Sequence, residues 1–208
     1  MRTPLVLSVA ALAVVGCFGR KRAPTPPSAP PAAAPSAGGA RGAAPTPAPS
    51  AAPNAALSDA NIAAIVIAAN EMDISYGRIA AAKSSDSRVK QFGEMMQRDH
   101  GGVNTLAGQL ATKLRLTPAD NQISLDLRDE AEAKRDTLRE LTGAEFNRWY
   151  AANELRYHAM LLETLEGTLI PSTRNAELKA LLTQVLPTVR AHFRLAADLD
   201  RQLRAARR

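Results

Sequence analysis

The chain has 208 residues, of which 46% are hydrophobic, 22% are charged and 4% are aromatic, and its formal net charge is +6. All 20 acidic residues but only 21 of the 26 basic residues lie in residues 58–208, so the excess positive charge belongs to residues 1–57. Balanced charge over the remainder argues against nucleic acid as a partner, and a single cysteine excludes an intramolecular disulfide.

Residues 1–17 have the pattern of a bacterial lipoprotein signal peptide. Arg2 precedes an apolar run, residues 5–15, that is too short for a stable membrane-spanning helix. The run ends in Val-Val-Gly before Cys17, as in a lipobox, which predicts cleavage before Cys17, its acylation and attachment to a membrane. Phe18 instead of Asp after the cysteine favours the outer membrane, facing the periplasm. An ordinary secretory signal with an incidental cysteine is the alternative.

Residues 18–57 predict a disordered stalk. They hold ten of the 14 prolines, contain no acidic residue, and are otherwise mostly Ala, Ser and Gly. Such a segment has too few large apolar side chains to offset the entropy lost on ordering, and alternating Ala and Pro favour extended polyproline II. We expect an inert spacer, and no motif supports a cell-wall ligand.

Residues 58–208 predict one all-α domain. Helix 1 starts at Ser58 or Asp59, both good N-caps. Helix 2 runs from near Asp86 to the residue before Thr117, and a weaker, highly charged helix lies within residues 119–141. The apolar positions of helices 1 and 2 recur with helical spacing and define the core-facing stripes. The stripe of helix 1 is either Ile62, Val66, Ala69, Asp73, Tyr76 and Ala80 or, one step round the helix, Ile62, Ile65, Ala69, Met72, Tyr76 and Ile79. The stripe of helix 2 is Phe92, Met96, His100, Val103, Ala107, Leu110 and Leu114.

The second half of the domain predicts two more long helices. Helix 3 opens with a capping box formed by Thr142 and Glu145 and closes at Pro171. Helix 4 runs from about Asn175 to Leu203. The connection between helices 2 and 3 is long and the other two are short, which is typical of a ferritin-like four-helix bundle with a crossover containing an extra helix. A plain up-down bundle is the alternative.

One carboxylate and all three histidines lie near the midpoints of the four long helices, on or beside their apolar stripes. Helix midpoints meet at one level of a bundle whichever way each helix points, so these side chains are expected to converge. A second carboxylate lies one turn before the histidine of helix 3. Imidazole with carboxylate suits zinc, iron or copper. The candidate metal ligands are Asp73, His100, Glu154, His158 and His192. A buried polar network without metal is the alternative.

The residues around the histidines limit the kind of centre. A ferritin-type di-iron site needs a Glu three residues before a His on each of two helices, but Gln97, Leu155 and Val189 occupy those positions. Gly101 and Gly102, directly after His100, weaken helix 2. They predict either close approach of a neighbouring helix, a local bulge that re-aims His100, or a helix pause without chemical consequence.

Four segments resemble the bacterial domain-of-unknown-function 4142 family: AANEMDISYG (68–77), VKQFGEMMQRDH (89–100), TGAEFNRWYAANELRYH (142–158) and LKALLTQVLPTVRAH (178–192). The family's acidic residue before an isoleucine falls on Asp73, whereas Gly101 and Gly102 depart from the family pattern. The resemblance implies a ferritin-like bundle in the bacterial envelope.

The sequence favours a non-enzymatic, lipid-anchored interaction or structural module, with a possible role in envelope stress. No nucleophile constellation or phosphate-binding loop is present in the sequence. A metal-binding ferritin-like protein, for storage or redox, is the alternative. Its cofactor would be a transition-metal ion at the predicted cluster, and the membrane would be reached through lipidated Cys17.

Overall fold

A computed structural model of the chain describes residues 56–206. The predicted signal peptide, Cys17 and all but the last two residues of the predicted stalk lie outside them. The described residues form helices joined by short connections. The helices are α1 (Asp59–Lys83), α2 (Ser87–Leu114), α3 (Gln122–Glu140), α4 (Gly143–Thr164), a π-helical turn (Leu165–Leu169), α5 (Ile170–Ser172) and α6 (Ala176–Ala205). The all-α prediction is therefore confirmed, and none of these helices combines the length and apolarity that crossing a membrane requires.

Helix α3 lies along α1 and points the same way. Near the start of both helices, Asn61 Nδ2 donates a hydrogen bond to the carbonyl of Ala119 at 3.0 Å. Near their ends, Lys83 Nζ donates to the carbonyl of Leu138 at 2.9 Å. Because α2 returns antiparallel to α1 after a turn of three residues, α3 carries the chain back to the end of the domain at which α1 finishes.

The directions of α4 and α6 follow from two further contacts. Ser84 Oγ donates to Asn147 Oδ1 at 2.7 Å, so α4 begins where α1 ends. The Asp59 carboxylate accepts hydrogen bonds from the backbone amides of Arg174 and Asn175 at 2.8 and 2.9 Å, so α6 begins where α1 begins. Relative to α1, therefore, α2 and α4 are antiparallel and α6 is parallel.

Two apolar layers fill the interior. One lies towards the ends of α1 and α6 and includes Met72, Tyr76, Phe92, Met96, Phe146, Tyr150 and Leu199. The other lies towards their beginnings and includes Ile62, Ile65, Val66, Leu165, Leu169, Leu178, Leu182 and Val189. In the sequence, His100, His158 and His192 fall between these two layers, and Asp73 and Glu154 fall at the edge of the first, which places a polar level inside an otherwise apolar core.

Helices α1 and α2 approach each other most closely at Gly77 and Gly93. A Cβ added at Gly77 would lie 2.5 Å from the carbonyl oxygen of Gly93, and one added at Gly93 would lie 2.6 Å from that of Gly77. A Cβ at Gly101 or Gly102, by contrast, would meet nothing within 4 Å. The prediction of close approach at Gly101 and Gly102 is therefore wrong, because the helices cross two turns earlier. The predicted bulge is also absent there, since α2 is α-helical throughout.

The helix ends agree with the sequence except at the start of α4. Ser58 caps α1 with its side chain, as predicted, and Asp86 and Asn175, near which the next two helix starts were predicted, cap α2 and α6. Thr142 makes no such hydrogen bond, so the predicted capping box with Glu145 is wrong. The reason is Gly143, whose φ of +53° takes the first helical residue out of the geometry that brings a capping side chain onto the third amide.

Candidate metal centre

Four helices contribute the five predicted ligands. Asp73 comes from α1, His100 from α2, Glu154 and His158 from α4, and His192 from α6. All five are buried, with His100 and His192 3% exposed and the others fully covered. Each of these helices directs its apolar stripe towards the core. At the same height in the bundle, a polar residue lies on or beside each stripe, so the polar side chains meet where the helices face one another.

The side chains approach to distances typical of ligands around one ion. His100 Nε2 lies 2.7 Å and His158 Nε2 lies 3.4 Å from Asp73 Oδ2. One ring nitrogen from each of the three histidines lies within 4.8 Å of the other two, and the same holds for one atom each of Asp73, Glu154 and His158. Two ligands of a tetrahedral ion with bonds of about 2.1 Å are about 3.4 Å apart, so this spacing fits one ion.

The two ring nitrogens of His158 have different neighbours: Nε2 faces Asp73, and Nδ1 forms a hydrogen bond with the backbone. The Nδ1 atom lies 3.0 Å from the backbone carbonyl of Glu154, which can only accept, so Nδ1 carries the proton. In the neutral ring Nε2 is then unprotonated, and it faces the Asp73 carboxylate, which is also an acceptor. Two acceptors directed at each other are unfavourable unless a proton or a cation lies between them.

The other two histidines repeat this arrangement. His192 Nε2 lies 3.0 Å from Asp99 Oδ2, and His100 Nδ1 lies 2.8 Å from Asn70 Oδ1. The Asn70 amide is oriented in turn by a hydrogen bond from its Nδ2 to Asn104 Oδ1 at 2.8 Å. Each imidazole therefore has one nitrogen donating to an oxygen, which is how proteins fix the tautomer and orientation of metal-binding histidines.

The inner atoms of the cluster have no hydrogen-bond partner. Over residues 56–206, every buried side-chain polar atom without one belongs to the five predicted ligands or to a residue within one helical turn of them on the same helix. Although His100 Nε2 and Asp73 Oδ2 are 2.7 Å apart, they are not aligned as a hydrogen bond. Buried polar groups are rarely left unsatisfied. The unpartnered atoms are Asp73 Oδ1 and Oδ2, Tyr76 Oη, His100 Nε2, Tyr150 Oη, Asn153 Oδ1 and Nδ2, Glu154 Oε1 and Oε2, His158 Nε2 and His192 Nδ1.

Burial and the charges of neighbouring groups determine which of these side chains are protonated at neutral pH. Burial opposes ionisation of Asp73, but the imidazoles of His100 and His158 outweigh it and hold the pKa of this carboxyl well below its usual range. Burial, together with the Asp73 carboxylate, raises the pKa of Glu154 well above its ordinary value. Burial lowers the pKa of His158 to about 4 and also lowers that of His192. At neutral pH these two imidazoles are neutral, the form that can bind a metal.

Three tyrosines border the cluster and remain protonated. Burial and the nearby carboxylates raise the pKa values of Tyr76, Tyr150 and Tyr157 above the ordinary value. Tyr157 Oη donates to the carbonyl of Ala69 at 2.8 Å, which fixes its ring beside that of His158 at a centroid distance of 5.5 Å. These phenols surround the centre with apolar rings and hydroxyl groups and supply no further negative charge.

Sequence reasoning missed the residues that orient the histidines. Asp99 precedes His100 in the chain but contacts His192 on another helix, and Asn70 lies one turn before Asp73 but contacts His100. Both are polar residues beside a predicted ligand, which is the only signal that the sequence offered. Their partners depend on how α1, α2 and α6 are packed.

The comparison with known families supports the resemblance drawn from the four sequence segments. No curated protein and no solved structure gives a significant match to the chain. The family model described as "Domain of unknown function (DUF4142)" matches residues 44–199, a range that includes all five cluster residues. Because that match covers most of the sequence, the chain belongs to the DUF4142 family.

Proposed function

We propose that this protein binds one first-row transition-metal ion, such as zinc, iron or copper, through Asp73, His100, Glu154, His158 and His192. The observation that carries the proposal is the state of the three imidazoles. Each has one nitrogen hydrogen-bonded to an oxygen and the other buried without a partner, and a nitrogen of each lies within 4.8 Å of the others. Three imidazoles and a carboxylate suit these metals.

Charge supports a cation at this position. The Asp73 carboxylate is fully buried, and its pKa is held low by positive charge at the positions of the His100 and His158 imidazoles, although His158 itself is neutral at neutral pH. A buried carboxylate needs a compensating positive charge. A divalent cation would supply that charge and would also accept the lone pairs that otherwise face the carboxylate. Metal binding would displace the Glu154 proton if that carboxylate joined the coordination.

We further propose that the four long helices form a ferritin-like bundle. The directions of α2, α4 and α6 relative to α1, with α3 as the crossover between α2 and α4, match the topology in which one long connection joins two helix hairpins. In such bundles metal ligands project inward from facing helices. The absence from the sequence of paired Glu-x-x-His motifs favours a mononuclear centre over a di-iron enzyme.

For the cell, we propose a lipid-anchored protein at the periplasmic face of the outer membrane. The lipobox before Cys17 supports the anchor, and the Pro-rich residues 18–57 would separate it from the helical domain. Wild type should fractionate with membranes, and Cys17→Ser should not be processed to a lipidated, membrane-bound form. Normal processing of that variant would refute the anchor without affecting the metal proposal.

The metal proposal is tested on full-length protein purified in detergent without added metal. Elemental analysis should find up to one equivalent of a transition metal. After treatment with chelator, one equivalent of zinc, copper or iron(II) should bind and raise the melting temperature near pH 7.5, because a ligand that binds only the native state stabilises it. Binding should weaken as the pH falls towards 4, because protons then compete with the metal ion for the imidazole of His158, whose pKa in the unbound protein is about 4.

Two variants locate the binding. His192→Ala should abolish the zinc-dependent rise in melting temperature, and Glu154→Gln should weaken zinc binding. Glu163→Gln, which changes an exposed glutamate on the same helix as Glu154, should behave like wild type. If purified protein contains no metal and none of the three ions shifts the melting temperature, the cluster is a buried polar network in a structural module.

A further inference from the structure

A cavity of about 120 Å³ adjoins the candidate metal centre. His100 and His192 form part of its wall, and helices α1, α2, α3, α4 and α6 and the π-helical turn contribute the remainder. Ile123 and Met160 also line it, and each is 41% exposed, so the cavity reaches the surface. The metal proposal does not use this space.

The wall of the cavity is mostly apolar, and apart from the hydroxyl-bearing residues Tyr157, Thr164 and Thr188 its polar side chains form one contiguous patch. The patch consists of Asn70, Asp99, His100 and His192, which are linked by the hydrogen bonds His100–Asn70 and His192–Asp99 and by imidazoles whose centroids are 5.3 Å apart. Most of the other wall residues are aliphatic, including Leu165 and Leu169 of the π-helical turn. π-Helical turns occur frequently at functional sites. A ligand would therefore meet a cluster of polar groups at the His100 and His192 patch and mainly aliphatic side chains elsewhere.

In the metal-free protein, the charges around the cavity favour uncharged ligands. Among the described residues, neither Lys nor Arg lines it, so an anion would find no positively charged side chain there. Asp99 is the only acidic residue in its wall, and both of its oxygens are engaged: Oδ1 lies 2.9 Å from Arg98 Nε and Oδ2 lies 3.0 Å from His192 Nε2. Because Arg98 already compensates the charge of Asp99, a cationic ligand would gain little from this carboxylate.

We propose that this cavity is a binding site for a small, uncharged, mainly apolar molecule about the size of a phenol, with its single polar group directed at the His100 and His192 patch. A closed apolar cavity of about 150 Å³ binds benzene. The present cavity is somewhat smaller, about 120 Å³, but it is open at Ile123 and Met160, so part of a ring of this size can extend towards the surface. Small-molecule sites commonly combine apolar walls with a few polar groups that set orientation. Binding at this site does not require the metal, although a bound ion would lie beside the polar end of the ligand.

The probe is para-fluorophenol, observed by fluorine NMR with full-length protein in lipid nanodiscs. Saturable binding is expected for wild type, both after treatment with chelator and after loading with zinc. In the chelator-treated protein, the charged analogues para-fluorobenzoate and para-fluorobenzylammonium should not bind. Partitioning into lipid is measured with empty nanodiscs and with the control variant described below.

Val103→Phe and Val185→Phe fill the cavity from α2 and from α6. Both positions are partly exposed and line the cavity, so the larger ring can be accommodated without refolding the core. Each variant should weaken para-fluorophenol binding by about tenfold or more, because the added ring occupies the volume that the ligand needs. Leu106→Phe adds a ring on α2 at an exposed site outside the cavity and should bind like wild type.

The outcomes separate this proposal from the metal proposal. If wild type shows no saturable binding, or if both filling variants bind as well as Leu106→Phe, the cavity proposal is overturned whatever the metal content. Probe binding to chelated protein that takes up no metal supports the cavity and refutes only the metal centre. If the two charged analogues bind the metal-free protein as tightly as para-fluorophenol does, the assignment to uncharged ligands is overturned.

Discussion

Replacing Gly93 with alanine should force α1 and α2 apart and destabilise the helical domain. The new Cβ would lie 2.6 Å from the Gly77 carbonyl oxygen, 3.0 Å from Ala80 Cβ and 3.1 Å from Ala81 N. Two of these three atoms belong to the backbone, so no side-chain rotation can relieve the contacts. Reaching 3.4 Å, where ordinary van der Waals contact begins, requires a separation of roughly 0.8 Å between the helices at this point.

Two opposing effects determine the magnitude. Alanine stabilises a helix relative to glycine by roughly 1 kcal/mol, whereas overpacking a close contact costs roughly 1–3 kcal/mol. Backbone atoms yield less readily than side chains, so the upper part of that range applies and the net loss for Gly93→Ala is about 1–2 kcal/mol. Gly102→Ala is the matched control on the same helix. Its Cβ meets nothing within 4 Å, and it should gain about 0.5–1 kcal/mol.

The assay is urea unfolding followed by circular dichroism, on full-length protein in detergent with chelator present. Because the two substitutions differ only in the surroundings of the added methyl group, the free energies of unfolding should differ by about 2–3 kcal/mol. In a domain of this size that difference corresponds to about 4–12 °C in melting temperature. If Gly93→Ala is as stable as Gly102→Ala, the close crossing at Gly77 and Gly93 does not exist in solution.

Three further predictions test the cluster and the packing of α3. Burial lowers the pKa of His158 to about 4 in the folded protein, whereas the unfolded chain has a histidine pKa near 6.5. As the pH falls between these two values the unfolded chain takes up the proton first, so metal-free protein should lose up to about 3 kcal/mol of unfolding free energy. Urea titrations near pH 7 and pH 5 should show this loss, and His158→Gln should reduce it. Asp99→Asn should weaken metal affinity about 10- to 100-fold in competition with a chelator, because the carboxylate orients His192; unchanged affinity would contradict that role. Leu138→Ala on α3 should lower the free energy of unfolding by about 2–5 kcal/mol, because the Leu138 side chain is fully buried. Leu125 is exposed, so Leu125→Ala should change that free energy by less than about 0.5 kcal/mol in the same denaturation assay. Equal effects of the two substitutions would show that α3 is not packed as described.

The sequence by itself determined the helices and the side of each helix that faces the core. Ser58 caps α1 as predicted, and α2 and α6 begin directly after Asp86 and Asn175, close to their predicted starts. Apolar periodicity and side-chain capping act between residues that are close in the sequence, so they can be identified without knowing which helices pack together. The family match also follows from local sequence segments.

The tertiary structure alone decided which groups contact one another. Gly77 and Gly93 form the close crossing, although Gly101 and Gly102 are the more conspicuous pair. Asp99 orients His192 and not its neighbour His100. The cavity beside the histidines needs residues from five helices and the π-helical turn at once. Each of these features depends on the distance and the rotation between helices. Side chains that are far apart in the sequence determine these quantities jointly, so they cannot be read from the periodic pattern of a single helix.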